Sequence, residues 1–378
     1  MNTSLSHKKI AIVHDWLVVY GGAEKVLENI IDLYPNADIF SLVEKVPENQ
    51  RVFLRGKIVK TSFLQRLPYV EKYYRYLMPI LPFVIEQFDF GRYDLVITSS
   101  YCVSKGILTG PQQLHISYCH SPVRYAWDQY HHYISRFNNI PFIKFFMRLV
   151  FHYVRLWDVV SSNSVDQFIA TSRFVASRIK KYYRRPSIII HPPVDLSTFN
   201  LNLDKKDYYI AVARFVPFKR LDIAVKAFSE MPEKQLLLVG DGPDMGFLKN
   251  MATSNVKFIG FQNPEVVMKY LSRARALIFP SEEDFGIVPL EAQATGTPVI
   301  AYGKGGILDT VIPHQESSLS PTGVFFYEQN HKSLVSAISY FEDNIDDFNP
   351  DKIANHACNF TVEKFKEKLD QAIYSMSI

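Results

Sequence analysis

The segment Pro280-Ser-Glu-Glu-Asp-Phe-Gly-Ile-Val-Pro-Leu-Glu-Ala292 follows an apolar run, Ala276-Leu-Ile-Phe279, and precedes a glycine at position 296. A short continuous apolar run reads as a strand buried on both faces. Gly286 permits a close turn of the backbone, and Pro289 suits a first helical turn, where its missing N–H costs nothing. The segment therefore predicts strand, loop and helix, with the helix ending near Gly296. The same unit recurs along the chain. Tyr208 to Ala213 opens a second half as a new first strand, with a helix from about Lys219 to Met231. Further strands are expected at Gln235–Val239, Val256–Ile259 and Pro298–Ala301. In the first half, Lys9-Ile-Ala-Ile-Val-His14 leads through the glycine turn Gly21-Gly22 into a helix from about Ala23 to Leu33. Strands at Asp94–Thr98, His115–Tyr118 and Gln167–Ala170 follow. Strands alternating with helices imply an α/β fold with a parallel sheet in each half.

A chain of 378 residues is too long for one core and fits two domains. The seam is expected at Ile188-Ile-Ile-His-Pro-Pro-Val-Asp195 and the polar stretch ending at Asp207, where two prolines suit a boundary. This divides the chain into residues 1–195, residues 196–361 and a C-terminal helix at 362–378 that packs back on the first domain. Composition is ordinary for a globular protein, 47% hydrophobic and 21% charged. The net charge of +4 fits an anionic ligand or membrane surface but is too weak to argue for nucleic acid. Cys102, Cys119 and Cys358 are sparse and form no CxxC pair, which points to a reducing cytosol without a disulfide framework or cysteine zinc site. No apolar stretch is long enough for a signal-peptide core or a membrane span, so a cytoplasmic chain, soluble or peripheral at a membrane face, is expected.

Four segments carry chemistry. Free amides at the helix start after Gly286 can bind a phosphate. Glu283 and Glu291 flank that start; they suit sugar and ribose hydroxyls, or are simply acids favoured by the helix dipole. Arg214 and Lys219, in Val212-Ala-Arg-Phe-Val-Pro-Phe-Lys-Arg220, lie past the end of the second half's first strand, where ligands bind in open α/β sheets. Two cations there could neutralise a leaving diphosphate, or be solvated surface charges. Taken with the acidic segment, the functional reading of both is preferred. Gly21-Gly22-Ala23-Glu24 is a glycine turn whose amides could face the same ligand. His120, in Tyr118-Cys-His-Ser-Pro-Val-Arg-Tyr-Ala-Trp-Asp128, sits at a strand's carboxyl end and is as readily structural as functional. Val239-Gly-Asp-Gly-Pro-Asp-Met-Gly246 misses the dinucleotide fingerprint. Its third glycine is one residue late, and the expected acid is replaced by the Phe261-Gln262 region. A nucleotide-contacting turn at Gly240 remains open; a dehydrogenase is the poorer reading.

The combination of GGAE, ARFVPFKR, VGDGP and EDFGIVPLEA resembles the retaining glycosyltransferases of the GT-B fold, family 4, over nearly the whole chain. IAIVHDWL with YCHSPVRYAWD further resembles the mannosyltransferases that build bacterial surface polysaccharides such as O-antigen. The resemblance implies two Rossmann-like domains facing each other across a cleft. It implies that Arg214 and Lys219 hold the donor diphosphate, Glu291 the ribose and Glu283 the donor sugar. The amides of Gly22, Gly286 and Ile287 would meet phosphates and sugar, and His120 would lie beside the anomeric carbon. Gly21, Gly240, Phe261, Phe285 and Val288 complete the expected donor-binding set. Asp284 departs from the E-G-F-G form frequent in the family and puts the shape of the sugar pocket in question.

The expected donor is GDP-mannose and the acceptor a glycan or lipid-linked oligosaccharide. UDP-glucose, UDP-galactose or GDP-fucose on the same fold, and a catalytically silent nucleotide-sugar-binding protein, are the alternatives. No DxD pair ends a strand in the first half, so no metal and no cofactor are expected, and the donor configuration should be retained. Leu64 to Phe90 and Tyr130 to Trp157 mix aromatics with Arg66, Lys72, Arg75, Arg136, Lys144, Arg148 and Arg155. That mixture suits an anionic membrane surface, or helices packed on the core with solvated charges.

Overall fold

The computed structural model describes residues 7–135, 140–197, 199–314 and 320–377. The chain forms two compact units: residues 1–193 together with 365–378, and residues 194–364. Among the described residues the first unit holds seven strands: β1 (Ile10–His14), β2 (Asp38–Ser41), β3 (Val59–Thr61), β4 (Leu95–Ser100), β5 (Leu114–Cys119), β6 (Gln167–Ala170) and β7 (Ser187–Ile189). The described residues of the second hold six: β8 (Tyr209–Val212), β9 (Leu236–Val239), β10 (Val256–Gly260), β11 (Ala276–Phe279), β12 (Val299–Tyr302) and β13 (Gly323–Phe326).

The sheets run β3-β2-β1-β4-β5-β6-β7 and β10-β9-β8-β11-β12-β13. The first six strands of each thus stand in the same order, and every pairing is parallel. Each is a doubly wound sheet whose order reverses beside its first strand, between β1 and β4 and between β8 and β11. Ligands of open α/β sheets bind at such switch points, outside the carboxyl ends of the strands.

The central strands are buried along their whole length, as helices covering both faces require, and apolar except at the carboxyl ends of β1 and β4, which carry His14 and Thr98-Ser-Ser100. The seam falls slightly earlier than expected. Ile188 and Ile189 belong to β7, while Val194 is fixed in the second unit by a hydrogen bond to the Phe360 carbonyl (2.9 Å) and by packing with Phe285, Leu290 and Phe360. The helix Val362–Ser377 places Phe365, Leu369 and Ile373, four residues apart, in the core of the first unit with Ile12, Leu27 and Ile30. Lys366 Nζ reaches Asp32 Oδ2 at 3.2 Å on the same face. No helix among the described residues is long and apolar enough to cross a membrane.

Candidate active site

At the carboxyl end of β1 the chain turns polar, with His14 and Asp15 both fully buried. Asp15 accepts four backbone N–H groups: Tyr101 (2.7 Å) and Cys102 (2.9 Å) on Oδ2, Val103 (2.6 Å) and Ser104 (2.7 Å) on Oδ1. A carboxylate so placed caps the turn after β4 and fixes the strand end that carries Ser99.

Ser99 joins two histidines. Its Oγ lies 3.0 Å from His14 Nδ1 and 2.8 Å from His120 Nε2. His14 Nε2 faces Glu24 Oε1 at 3.4 Å. Proton positions follow from the groups available. A carboxylate only accepts, so the Nε2 tautomer of His14 fits Glu24 and presents Nδ1 as an acceptor. Ser99 then donates to His14 and accepts from His120 Nε2–H. This leaves a lone pair on His120 Nδ1, able to accept a hydrogen bond from a hydroxyl. Burial, reinforced by neighbouring His14, pushes His120 down to about 3, so the ring is neutral at physiological pH.

Glu24 also closes the turn that GGAE predicted. Its Oε2 accepts the Gly21 N–H at 2.9 Å, which commits that amide to the helix Gly22–Leu33 rather than to a ligand. Gly22, as the first helical residue, keeps its N–H outside the intrahelical ladder.

In the second unit Lys219 ends a short 3₁₀ turn, Pro217–Lys219, after β8. Its Nζ lies 2.5 Å from Glu283 Oε1, which also accepts from Ser281 Oγ at 2.7 Å. Two residues 64 apart in sequence are thereby joined at the β8/β11 switch point. Arg214, on the same loop after β8, is exposed, and its guanidinium has no partner among the described residues. Gly286 caps the helix Ile287–Ala294 at φ +91°, in the left-handed region that favours glycine. The amides of Ile287 and Val288 lie free at this start, while Pro289 has no N–H to leave unpaired. Glu291 follows on the second turn, half-buried.

The other expected donor-binding residues divide. Phe261 stands past the end of β10 with its ring 80% exposed. Phe285 is a core residue packed on Phe360, and Ile287 and Val288 pack against apolar clusters, so only their backbone is available to a ligand. Gly240 is at φ +137°; a side chain there would meet the Ala213 carbonyl at 1.9 Å, and its N–H is bonded to the Gly260 carbonyl at 2.9 Å. Glycine at 240 is explained by this close approach to the strand-end loop of β8.

Sequence reasoning missed Asp15 and Ser99, and also the loop Gly303-Lys-Gly-Gly306. There the Gly306 N–H donates to the Glu283 carbonyl at 2.7 Å, and a side chain at Gly305 would meet that same oxygen at 2.5 Å. Lys304 Nζ lies 3.1 Å from Glu282 Oε2. The three glycines directly after an apolar strand were the available signal. Among the described residues no three His, Cys, Asp or Glu side chains gather as metal ligands.

The first unit thus offers a neutral histidine acceptor, and the second offers two cations and a helix start, groups suited to phosphate oxygens. The pattern of the glycosyl transferases group 1 matches residues 195–355, and that of glycosyltransferase family 4 matches residues 20–198. The chain belongs to the family 4 glycosyltransferases. It is similar to the alpha-1,3/1,6-mannosyltransferase alg2 of Schizosaccharomyces pombe, 27% identical over 62% of this chain and 53% of the yeast protein. The alpha-1,3/1,6-mannosyltransferase ALG2 of Candida albicans is 23% identical over 99% of both chains. Among solved structures, Anabaena Alr3699/HepE in complex with UDP superposes with a TM-score of 0.69 at 17% identity, covering 97% of this chain and all of that one. The fold of this glycosyltransferase is accordingly GT-B.

Proposed function

We propose that this glycosyltransferase transfers mannose from GDP-mannose to a glycan or lipid-linked oligosaccharide, with retention of configuration and without a metal. The proposal places it in bacterial surface polysaccharide synthesis, peripheral at the cytosolic face of the inner membrane. The observation that carries the chemistry is the pairing of Lys219 with Glu283 beside unpartnered Arg214 and the amides after Gly286. The cations and amides suit a diphosphate, and the carboxylate suits sugar hydroxyls. That the yeast relatives are alpha-1,3/1,6-mannosyltransferases supports mannose as the sugar and α as the linkage.

In the proposed reaction the acceptor oxygen bonds to the anomeric carbon as the bond from that carbon to the donor phosphate breaks. The acceptor's proton passes to the departing phosphate oxygen, which Arg214 and Lys219 keep electrostatically stabilised. His120 Nδ1 accepts a hydrogen bond from a sugar hydroxyl and steadies the ring.

Thermal-shift measurements with nucleotides test the donor, since a ligand that binds only the folded form raises its melting temperature. GDP should stabilise more than UDP; the reverse order would replace guanine by uracil and favour UDP-glucose or UDP-galactose. Turnover of GDP-mannose in EDTA, with proton NMR of the product, tests the rest. An α-linked product is expected, and a β linkage would end the retaining reading.

A further inference from the structure

The helix Pro141–Ser161 divides its surface into three sectors. Val150, Phe151, Val154 and Asp158 face inward, into the core that also holds Leu64, Val70 and Leu81. Asp158 is the helix's only acidic residue, and it is fully buried against Lys105, Trp127 and Tyr183. A second sector presents Phe142, Phe146, Leu149, Tyr153, Leu156 and Val160, all exposed, from 81% at Phe142 to 45% at Tyr153. Their spacings alternate four and three, which at 3.6 residues per turn keeps them in one stripe along the helix. The remaining arc carries exposed Arg148 and His152 with part-buried Lys144 and Arg155, the last donating to the Ala126 carbonyl at 2.9 Å. Arg136, read with them in the sequence, lies outside the described residues.

A stripe of large apolar side chains on a surface helix marks an interaction site rather than solvent-facing design. The charges select the partner. The exposed part of this helix has cations and no anions, and a basic arc beside an apolar stripe is the pattern of helices that lie in a membrane interface. The surface continues beyond the helix. The segment 63–85 exposes Tyr69, Tyr76 and Phe83 with Arg66, Lys72 and Arg75, and buries Leu64 and Leu81 in the same core. Trp157 Nε1, bonded to Glu86 Oε1 at 2.7 Å, ties the helix to the end of that segment.

We propose that Pro141–Ser161 lies in the headgroup boundary of an anionic phospholipid bilayer, stripe toward the acyl chains and basic arc toward the lipid phosphates. This rests on the peripheral-membrane part of the proposed function and names the element responsible. The test is co-sedimentation of the full chain at low salt with phosphatidylcholine vesicles, with and without phosphatidylglycerol. Leu149→Glu with Leu156→Glu, and separately Arg148→Glu, serve as variants; the melting temperature of each reports folding. The wild type should bind only the anionic vesicles. The double variant should bind at least about tenfold more weakly, and Arg148→Glu about fivefold more weakly, with melting temperatures and turnover on a water-soluble acceptor unchanged. Wild-type binding that the folded double variant retains would overturn the assignment to this helix but leave the peripheral reading standing. No binding by the wild type would overturn both. A wild-type dimer in light scattering that becomes monomeric in the double variant, with vesicle binding unaltered, would overturn the proposal in favour of self-association.

Discussion

Lys219 Nζ and Glu283 Oε1 lie 2.5 Å apart, so the cation expected at the diphosphate and the carboxylate expected at the sugar are already partners. A diphosphate bound beside Lys219, as proposed, would meet an ammonium held in place rather than one swinging on a flexible stem. Such preorganisation favours charge developing on the leaving group over charge already present in the bound donor.

Arg214 and Lys219 should therefore separate by stability, not by chemistry. Replacing either with Ala should slow turnover on the order of 10²–10³-fold. Arg214→Ala should leave the melting temperature unchanged, because exposed Arg214 has no partner, whereas Lys219→Ala should lower it by leaving Glu283 without its cation. Steady-state kinetics with thermal melts check this. Normal turnover in both variants would put the diphosphate elsewhere.

Ser99→Ala should act through His120. Without the hydroxyl, His120 loses the partner that fixes its ring and tautomer, and small displacements at a reacting centre cost up to about 10²-fold in rate. The expected signature is a lower kcat with little change in donor KM; Ser99→Thr, which keeps a hydroxyl, should recover part of it. An unaltered kcat in Ser99→Ala would make the chain from Glu24 to His120 purely structural.

Asp15→Asn should destabilise the first unit. The amide retains one oxygen for two of the four backbone N–H groups and turns an N–H₂ toward the others. Unmet buried donors cost about 1–3 kcal/mol each, so urea unfolding should show a loss of at least about 2 kcal/mol. A loss under about 0.5 kcal/mol would mean that water or a backbone shift satisfies the turn.

Acid sensitivity should trace to His115. Burial drives this imidazole down from 6.5 to about 4, with Nδ1 3.2 Å from the Ser164 carbonyl. Above pH 6.5 the site is neutral in folded and unfolded chains, and its contribution is complete. Between 6.5 and 4 the unfolded chain binds the extra proton, so stability falls as pH falls; below about 4 the loss levels off. From pH 7 to 5 this amounts to about 2 kcal/mol in urea unfolding. His120, held down to about 3, shifts the same way and adds to the loss over the same range. His115→Gln should reduce the pH difference, and an identical difference in that variant would assign it to other groups.

The strands legible in the sequence were mostly central ones buried on both faces, with the edge strand β10 read from its Val256-Lys-Phe-Ile259 run. β3 and β7 were missed because they are three-residue edge strands with half-buried or exposed side chains. β2 and β13 are four residues long and open on Asp and Gly, which read as loop. In the site, Arg214, Lys219, Glu283 and Gly286 could be found because each sits just past a readable strand. Their pairing could not, since it depends on β8 and β11 being neighbours, and adjacency is not written in either segment. Asp15 and Ser99 looked like the polar ends of apolar runs. Only the turn folded onto Asp15 reveals why a charge is there.

The return of Phe365, Leu369 and Ile373 to the first core has a consequence for synthesis on the ribosome. These side chains emerge only after the whole second unit has been translated. Until then Ile12, Leu27 and Ile30 lack part of their apolar covering, and the nascent first unit waits with an open groove. A separately expressed 1–193 fragment would carry that groove permanently and should aggregate, whereas the same fragment supplied with a 362–377 peptide should be rescued into solution.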